Sequence, residues 1–156
     1  MLTVGQRREA ATKNAPLGQI KSLIKVSKPL RYGEFVWNDK GVPAGPVWIR
    51  ADLKTQTISI FRGGHEIGIA VILYGANQKP TPPGDFTVLA KSKDHQSRQY
   101  DAPMPYSLWL TSDGVAIHGS KVRWGAATHG CVGVPMEFAR QLFEAAAVGD
   151  RVDIIA

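Results

Sequence analysis

The single cysteine of the chain lies close in sequence to two of its four histidines. His118, His129 and Cys131 all fall within 14 residues. A thiol is mostly protonated at neutral pH, because its reference pKa is about 8.5. A neighbouring imidazole can accept that proton and leave a thiolate nucleophile. Gly130 beside the cysteine would let backbone N–H groups approach a reacting carbonyl. This segment therefore predicts a Cys–His site for nucleophilic acyl transfer.

The same residues admit two other interpretations. Free cysteines are often buried and behave as small hydrophobic residues. His118, His129 and Cys131 are also metal-ligating residue types, although their spacing matches no common zinc motif. The acyl-transfer interpretation needs only cysteine, histidine and backbone dipoles. We therefore expect no metal and no cofactor.

The net positive charge of the chain comes from its N-terminal part. The chain has 19 Lys and Arg against 13 Asp and Glu, for a net charge of +6. Residues 1–31 hold seven of the cations and one acid, so residues 32–156 are neutral. Nucleic-acid binding needs basic residues gathered on one face, so we expect no nucleic-acid partner.

We divide the chain accordingly into a basic N-terminal arm, residues 1–31, and a folded domain, residues 32–156. The arm is expected either to be solvated or to pack on the domain. It is also a candidate for contact with an anionic membrane or wall polymer. No apolar run approaches the 18–20 or so residues of a membrane span, and no apolar core of a secretory signal follows the early arginines.

Alternating apolar and polar residues predict strands over much of the domain. Ile58 and Ile60 alternate with polar neighbours, which is typical of a half-buried strand. Residues 91–105 are polar and proline-bearing, and are predicted to form neither helix nor strand. The predicted strands cover residues 47–52, 57–61, 66–74, 85–90, 107–111, 115–118 and 151–155.

One helix is predicted after Pro135, a residue that suits the first helical position. Phe138, Leu142 and Ala145 lie on one stripe, and Gly149 suits the stop. Many short strands with a single late helix indicate a mainly β fold, as a sandwich or barrel-like sheet.

Four ordered motifs resemble the catalytic domain of L,D-transpeptidases, a family of bacterial cell-wall enzymes. The family signature runs from His-Gly-Ser/Thr to Ser/Thr-His-Gly-Cys, as do residues 118–120 and 128–131. Residues 47–61 resemble its opening hairpin, residues 80–86 its Thr-Pro-x-Gly-x-Phe loop, and residues 104–119 the approach to its active site. The resemblance covers roughly residues 47–156. It implies a β-sandwich or barrel with one C-terminal α-helix followed by a closing strand.

The resemblance implies a role for each matching residue. Cys131 would attack a peptidoglycan stem peptide, release D-Ala and form a thioester. His118 would take the thiol proton, and the carbonyl of Gly119 would orient His118. Backbone N–H groups of Gly130 and Cys131 would face the oxyanion. The other implied site residues shape the pocket (Thr128, His129) or contact substrate (Tyr106, Ser120, Arg123, Trp124).

The acyl acceptor stays open at this point. A second stem would give a 3→3 cross-link, water would make the enzyme an L,D-carboxypeptidase, and a lipoprotein lysine would make it an anchoring enzyme. The resemblance also implies acylation by carbapenems, peptidoglycan stem peptides as the partner, and a location in the periplasm or cell envelope. We expect a monomer.

Two departures from the family pattern bear on substrate choice. The family commonly has Arg or Asn two residues after the cysteine, where this chain has Gly133. Arg123 is a candidate replacement for that charge. The stretch 119–127 is also shorter than is usual in the family. Gly133 leaves open a wall-binding module without turnover, and the missing signal leaves open a cytosolic thiol hydrolase or redox sensor.

Overall fold

The computed structural model describes residues 20–26, 28–75, 80–97, 102–122 and 130–156. Within these ranges the chain forms ten strands and one helix, arranged as two sheets. The strands are β1 (Phe35–Trp37), β2 (Val47–Asp52), β3 (Thr57–Arg62), β4 (His65–Val71), β5 (Gly84–Thr87), β6 (Ala90–Ser97), β7 (Ala102–Trp109), β8 (Ala116–Gly119), β9 (Val132–Val134) and β10 (Arg151–Ile155). The helix, α1, spans Met136–Ala145.

The first sheet has six strands in the order β1-β4-β3-β2-β10-β5. Strands β2, β3 and β4 are antiparallel neighbours because short turns join them. Strand β10 lies between β2 and β5, parallel to β2 and antiparallel to β5. Val152 of β10 is therefore opposite Ile49 on one side and Phe86 on the other.

The second sheet has the order β6-β7-β8-β9 and carries the sequence motif described above. Strands β8 and β9 run parallel, with His118 opposite Gly133. These two strands carry the two halves of the motif and are neighbours in the sheet. This pairing brings the two halves of the motif side by side.

One hydrophobic core joins both sheets to the helix. Ile49 and Ile60 contribute from the first sheet, Leu108 and Ile117 from the second, and Phe138 from α1, all with 0–1% exposure. Alternate residues of each strand reach this core because strand side chains have a period of two. The ring of Phe138 also makes edge contacts with two rings of β1, Phe35 and Trp37.

The prediction of one late helix followed by a closing strand is confirmed, and so is the mainly β fold class. Pro135 lies at the N-cap, one position before the predicted one. Phe138 and Leu142 are buried, as the apolar stripe predicted. The Lys91 ammonium donates to the carbonyl oxygen of Ala146 at 2.8 Å, which satisfies the C-terminal end of the helix.

The prediction that residues 91–105 are irregular is wrong. These residues lie largely in β6 and β7, which pair as an antiparallel hairpin. Strand β6 is at the edge of its sheet, where a polar sequence is typical because one side faces solvent. The strand predicted over residues 85–90 is divided between β5 and the start of β6.

The described part of residues 1–31 packs on the domain. The N–H of Lys21 donates to the Gly64 carbonyl at 2.7 Å, and Ser22 pairs in parallel with His65. The N–H of Ile24 donates to the buried Glu66 carboxylate at 2.9 Å. Residues 1–19 and 27 lie outside the described residues, so the domain boundary stays a prediction. In the part that the structure describes, no helix is long and apolar enough to cross a membrane.

Candidate active site

Strand pairing places Cys131 and His118 on one face of the second sheet. Ala116 and His118 share a face of β8 because side chains alternate, and the side chain of Cys131 packs against Ala116. His118 is opposite Gly133, two residues beyond the cysteine. Strand spacing of about 4.8 Å and a rise of about 3.3 Å per residue then separate the two Cα atoms by about 8 Å. An imidazole and a thiol can meet across that distance.

The imidazole of His118 is held by the backbone of the next residue. Its Nδ1 lies 2.8 Å from the carbonyl oxygen of Gly119. A carbonyl oxygen can only accept, so Nδ1 carries the proton and Nε2 of the neutral ring carries the lone pair. Burial lowers the pKa of His118, and the hydrogen bond to Gly119 opposes that effect only in part. The ring is therefore neutral at neutral pH, with its proton on Nδ1.

Gly119 lets β8 approach the helix closely. A Cβ atom at this position would lie 2.7 Å from Sδ of Met136 and 3.3 Å from Cβ of Ala139. The N-terminal turn of α1 thus packs directly against the peptide that carries the Gly119 carbonyl. This packing fixes the acceptor that orients His118.

The thiol of Cys131 lies in a small, buried, largely apolar cluster. The residue is 8% exposed, and its Sγ donates to the carbonyl of Gly114 at 3.5 Å. Met104, Ala116 and the half-buried Trp109 pack around it. The preceding Gly130 has a φ of +97°, a backbone conformation that favours glycine. The chain therefore turns sharply just before the nucleophile candidate.

The packing of Met104 and Trp109 against Cys131 depends on an unusual backbone angle at Tyr106. Its φ is +55°, in the left-handed region that a β-strand residue rarely adopts. The break in alternation lets Met104 and Trp109 both reach the Cys131 cluster, although they are an odd number of residues apart. Strand periodicity could not reveal this pair, and neither was a predicted site residue. The half-buried ring of Tyr106 packs on Phe143 of α1, with centroids 5.7 Å apart.

The family of the chain follows from a match over most of this domain. The model of the L,D-transpeptidase catalytic domain (YkuD) matches residues 46–154. The chain belongs to the L,D-transpeptidase family. The resemblance of the sequence motifs to that family is thereby confirmed.

Similar proteins include L,D-transpeptidase 1 of Mycobacterium tuberculosis, 23% identical over an alignment of 122 positions that covers 67% of this chain and 49% of that protein. The chain thus spans about half the length of the curated relatives it matches. The L,D-transpeptidase of Stackebrandtia nassauensis has a TM-score of 0.65 at 24% identity, covering 73% of this chain and 57% of that one. The L,D-transpeptidase LdtMt1 in complex with imipenem has a TM-score of 0.64 at 22% identity, covering 70% and 58%. These structures are similar in fold.

Ser120 occupies the space beside the position where the L,D-transpeptidase pattern commonly has Arg or Asn. A Cβ atom on Gly133 would lie 3.0 Å from the Cβ of Ser120. The N–H of Ser120 donates to the carbonyl of Val134 at 2.8 Å, which fixes Ser120 against β9. Ser120 was predicted to contact substrate, and the structure places it beside the His118–Gly133 pair.

Several predicted site residues lie outside the described residues: Arg123, Trp124, Thr128 and His129. Their roles stay predictions, as does the zinc alternative that included His129. Among the described residues, no group of three or more His, Cys, Asp or Glu side chains is placed to hold a metal ion.

Proposed function

We propose that this L,D-transpeptidase domain is a cysteine acyltransferase that acts on peptidoglycan stem peptides in the cell envelope. The proposal depends above all on one observation. His118 is buried, its Nδ1 is bonded to the Gly119 carbonyl, and it shares a sheet face with Cys131. A neutral imidazole with its proton on Nδ1 leaves Nε2 as the basic nitrogen that could accept the thiol proton.

The first half-reaction acylates the enzyme. Nε2 of His118 accepts the thiol proton while Sγ of Cys131 attacks the carbonyl of the L-centre residue of a tetrapeptide stem. The C–N bond to D-Ala then breaks, and the imidazolium returns the proton to the leaving amine. The product is a thioester on Cys131 and free D-Ala.

The second half-reaction regenerates the thiol. An amine of a second stem attacks the thioester carbonyl, His118 accepts the amine proton, and the C–S bond breaks. The new amide is a 3→3 cross-link, and the thiolate recovers a proton from His118. Water in place of the amine would give a trimmed stem, which is the L,D-carboxypeptidase alternative.

Charge on the tetrahedral intermediates requires N–H donors beside the sulfur. The backbone N–H groups of Gly130 and Cys131 are our candidates, because the left-handed Gly130 turns the main chain at this point. Donors of this kind act through their position and need no cofactor.

Gly133 supports a second candidate function, a wall-binding module without turnover. The family pattern commonly has a polar side chain at this position, and here Ser120 fills the adjoining space. The presence of both Cys131 and an oriented His118 favours catalysis over this candidate, since binding alone needs neither a thiol nor a base.

Acylation by imipenem tests the function directly, because a structurally similar L,D-transpeptidase has been solved with this compound. Intact-protein mass is measured after incubation of wild type and Cys131→Ala. We expect one adduct on wild type and none on the variant. An unmodified, folded and reduced wild type would favour the binding module instead.

A stem tetrapeptide then identifies the acceptor. Release of D-Ala with formation of a cross-linked dimer supports the transpeptidase, whereas D-Ala release with tripeptide alone supports trimming. Fractionation of the producing cells, followed by detection of the protein, tests the envelope location.

A further inference from the structure

Thr81 lies against the main chain of the nucleophile candidate and has no role so far. The residue is 2% exposed. Its hydroxyl accepts a hydrogen bond from the N–H of Gly75 at 2.7 Å. The same hydroxyl donates to the carbonyl oxygen of Cys131 at 3.4 Å. Thr81 therefore connects two backbone groups that do not belong to its own segment.

The pairing of neighbouring residues shows what this hydroxyl replaces. Leu73 and Gly133 exchange two backbone hydrogen bonds of 2.9 Å each, as an antiparallel hydrogen-bonded pair. In a regular ladder the next such pair would be Gly75 and Cys131, with the N–H of Gly75 donating directly to the Cys131 carbonyl. The Thr81 hydroxyl instead stands between these two groups.

We propose that Thr81 is a positioning residue of the acyl-transfer site. Its hydroxyl takes the place of one direct backbone hydrogen bond between the two strands. The N–H of Gly75 and the carbonyl of Cys131 are therefore separated by this hydroxyl group instead of bonding to each other. This inference rests on the proposed function, because the carbonyl of Cys131 directly follows the N–H groups of Gly130 and Cys131 that would face the oxyanion. A shift of the Cys131 main chain would tilt the preceding peptide units and misdirect these N–H groups, while the flexible thiol side chain would stay accessible.

Threonine suits this position for three reasons. A hydroxyl accepts and donates at the same time, as the relay between Gly75 and Cys131 requires. The β-branched side chain restricts χ1. Pro82 follows directly, which restricts the backbone of Thr81 to extended conformations. The hydroxyl is thus held in place by its own residue and its neighbour.

The two contacts of the relay differ in length. The contact with Gly75 is short, whereas the 3.4 Å contact with the Cys131 carbonyl exceeds the usual O–H···O distance. In resting active sites such contacts are often long, and they tighten when the reaction complex forms. The contact with the Cys131 carbonyl is therefore the weaker of the two in this structure, and the one that could still shorten.

Three variants distinguish a positioning role of Thr81 from an effect on the stability of the domain. Thr81→Val keeps the shape and removes the hydroxyl, and Thr81→Ser keeps the hydroxyl. Thr57→Val is the matched control, because it removes a buried hydroxyl that pairs with Thr55 at 2.8 Å on the first sheet. For each protein we measure imipenem acylation, iodoacetamide alkylation and the urea unfolding midpoint.

We expect Thr81→Val to slow the maximal rate of acylation by about 10- to 100-fold, the effect of a misplacement of up to about 1 Å. Alkylation should stay near the wild-type rate, because it needs the thiolate but no oxyanion donors. Thr81→Ser and Thr57→Val should acylate at close to the wild-type rate. Three results would overturn the positioning role: wild-type acylation in Thr81→Val, an equal loss of alkylation, or an equal loss of acylation in Thr57→Val.

Amide hydrogen exchange tests the relay without any reaction. The Gly75 amide should exchange faster in Thr81→Val than in wild type, while the Leu73 amide, which donates to Gly133, should not change. Equal acceleration of both amides would contradict a specific relay. If wild type is not acylated at all, the proposed function fails, and the Gly75 exchange rate still decides whether the relay exists.

Discussion

The side chain of Ser120 occupies the space that a side chain at Gly133 would need. A Cβ atom added to Gly133 would lie 3.0 Å from the Cβ and 3.4 Å from the Oγ of Ser120. The Cβ of Leu73 lies 3.4 Å away on the other side. The glycine, which departs from the usual family pattern, is therefore matched to its neighbours.

We expect Gly133→Ala to destabilise the domain by about 1–3 kcal/mol, because the added methyl group overpacks the space held by Ser120. Ser120→Gly should remove part of that cost, with a coupling of about 0.5–3 kcal/mol between the two changes. A double-mutant cycle in urea measures this coupling. Strictly additive free energies of unfolding would show that the two positions do not compete for space.

His118→Gln should reduce imipenem acylation by about 10²- to 10⁴-fold, because the general base is lost while a polar side chain of similar length remains. Time courses of intact mass measure the rate, and far-UV circular dichroism verifies the fold. The control is His65→Gln, a half-buried histidine of the first sheet whose Nδ1 contacts the hydroxyl of Ser22. A normal acylation rate in His118→Gln would identify His118 as the wrong base.

The acidic limb of the pH–rate profile should have its midpoint below 6.5. Burial lowers the pKa of His118 from its ordinary value of 6.5, so the imidazole stays neutral at pH values where a solvated one is half protonated. The same shift makes the unfolded chain bind more protons below pH 6.5, so stability should decline as the pH falls through that range. Acylation rates and urea unfolding midpoints, both measured from about pH 4 to about pH 8, test the two predictions. A midpoint above 6.5 would contradict the neutral imidazole.

Oxidation of Cys131 should abolish activity, reversibly at first. Sulfenic acid removes the nucleophile, and thiol reductants restore it before sulfinic acid forms. Treatment with hydrogen peroxide, with and without later dithiothreitol, is followed by imipenem labelling. Labelling that survives complete oxidation of the thiol would exclude Cys131 as the acylated residue.

The fold class was predictable from sequence because its signals are local, and the candidate site pair could be named because both residues lie in one motif. Ile58 and Ile60 show the strand period directly, and Phe138 with Leu142 shows the helical one. Strand β6 and the first half of β7 were missed because residues 91–105 are polar and proline-bearing, and only their pairing with each other makes them strands. Their strand conformation comes from pairing within the sheet and not from a local sequence pattern.

The site was readable only where its residues lie within the motif. The Cys131 and His118 candidates share one segment, but Met104 and Trp109 reach the cysteine through the left-handed backbone of Tyr106. A periodic pattern cannot predict such a break. Thr81 was visible within a motif, yet its contacts with Gly75 and Cys131 arise from tertiary structure alone.

The position of β10 has a consequence for how the domain assembles. Strand β5 is bonded to the first sheet through β10, and β10 pairs with β2 from more than one hundred residues away, as Ile49 and Val152 show. Such non-local pairing slows folding relative to the hairpins of β2, β3 and β4, which form between neighbours. Until β10 inserts, β2 and β5 both present unpaired edges that other chains can bind. This topology therefore makes the partly folded domain prone to aggregation, and rapid docking of β10 would reduce that tendency.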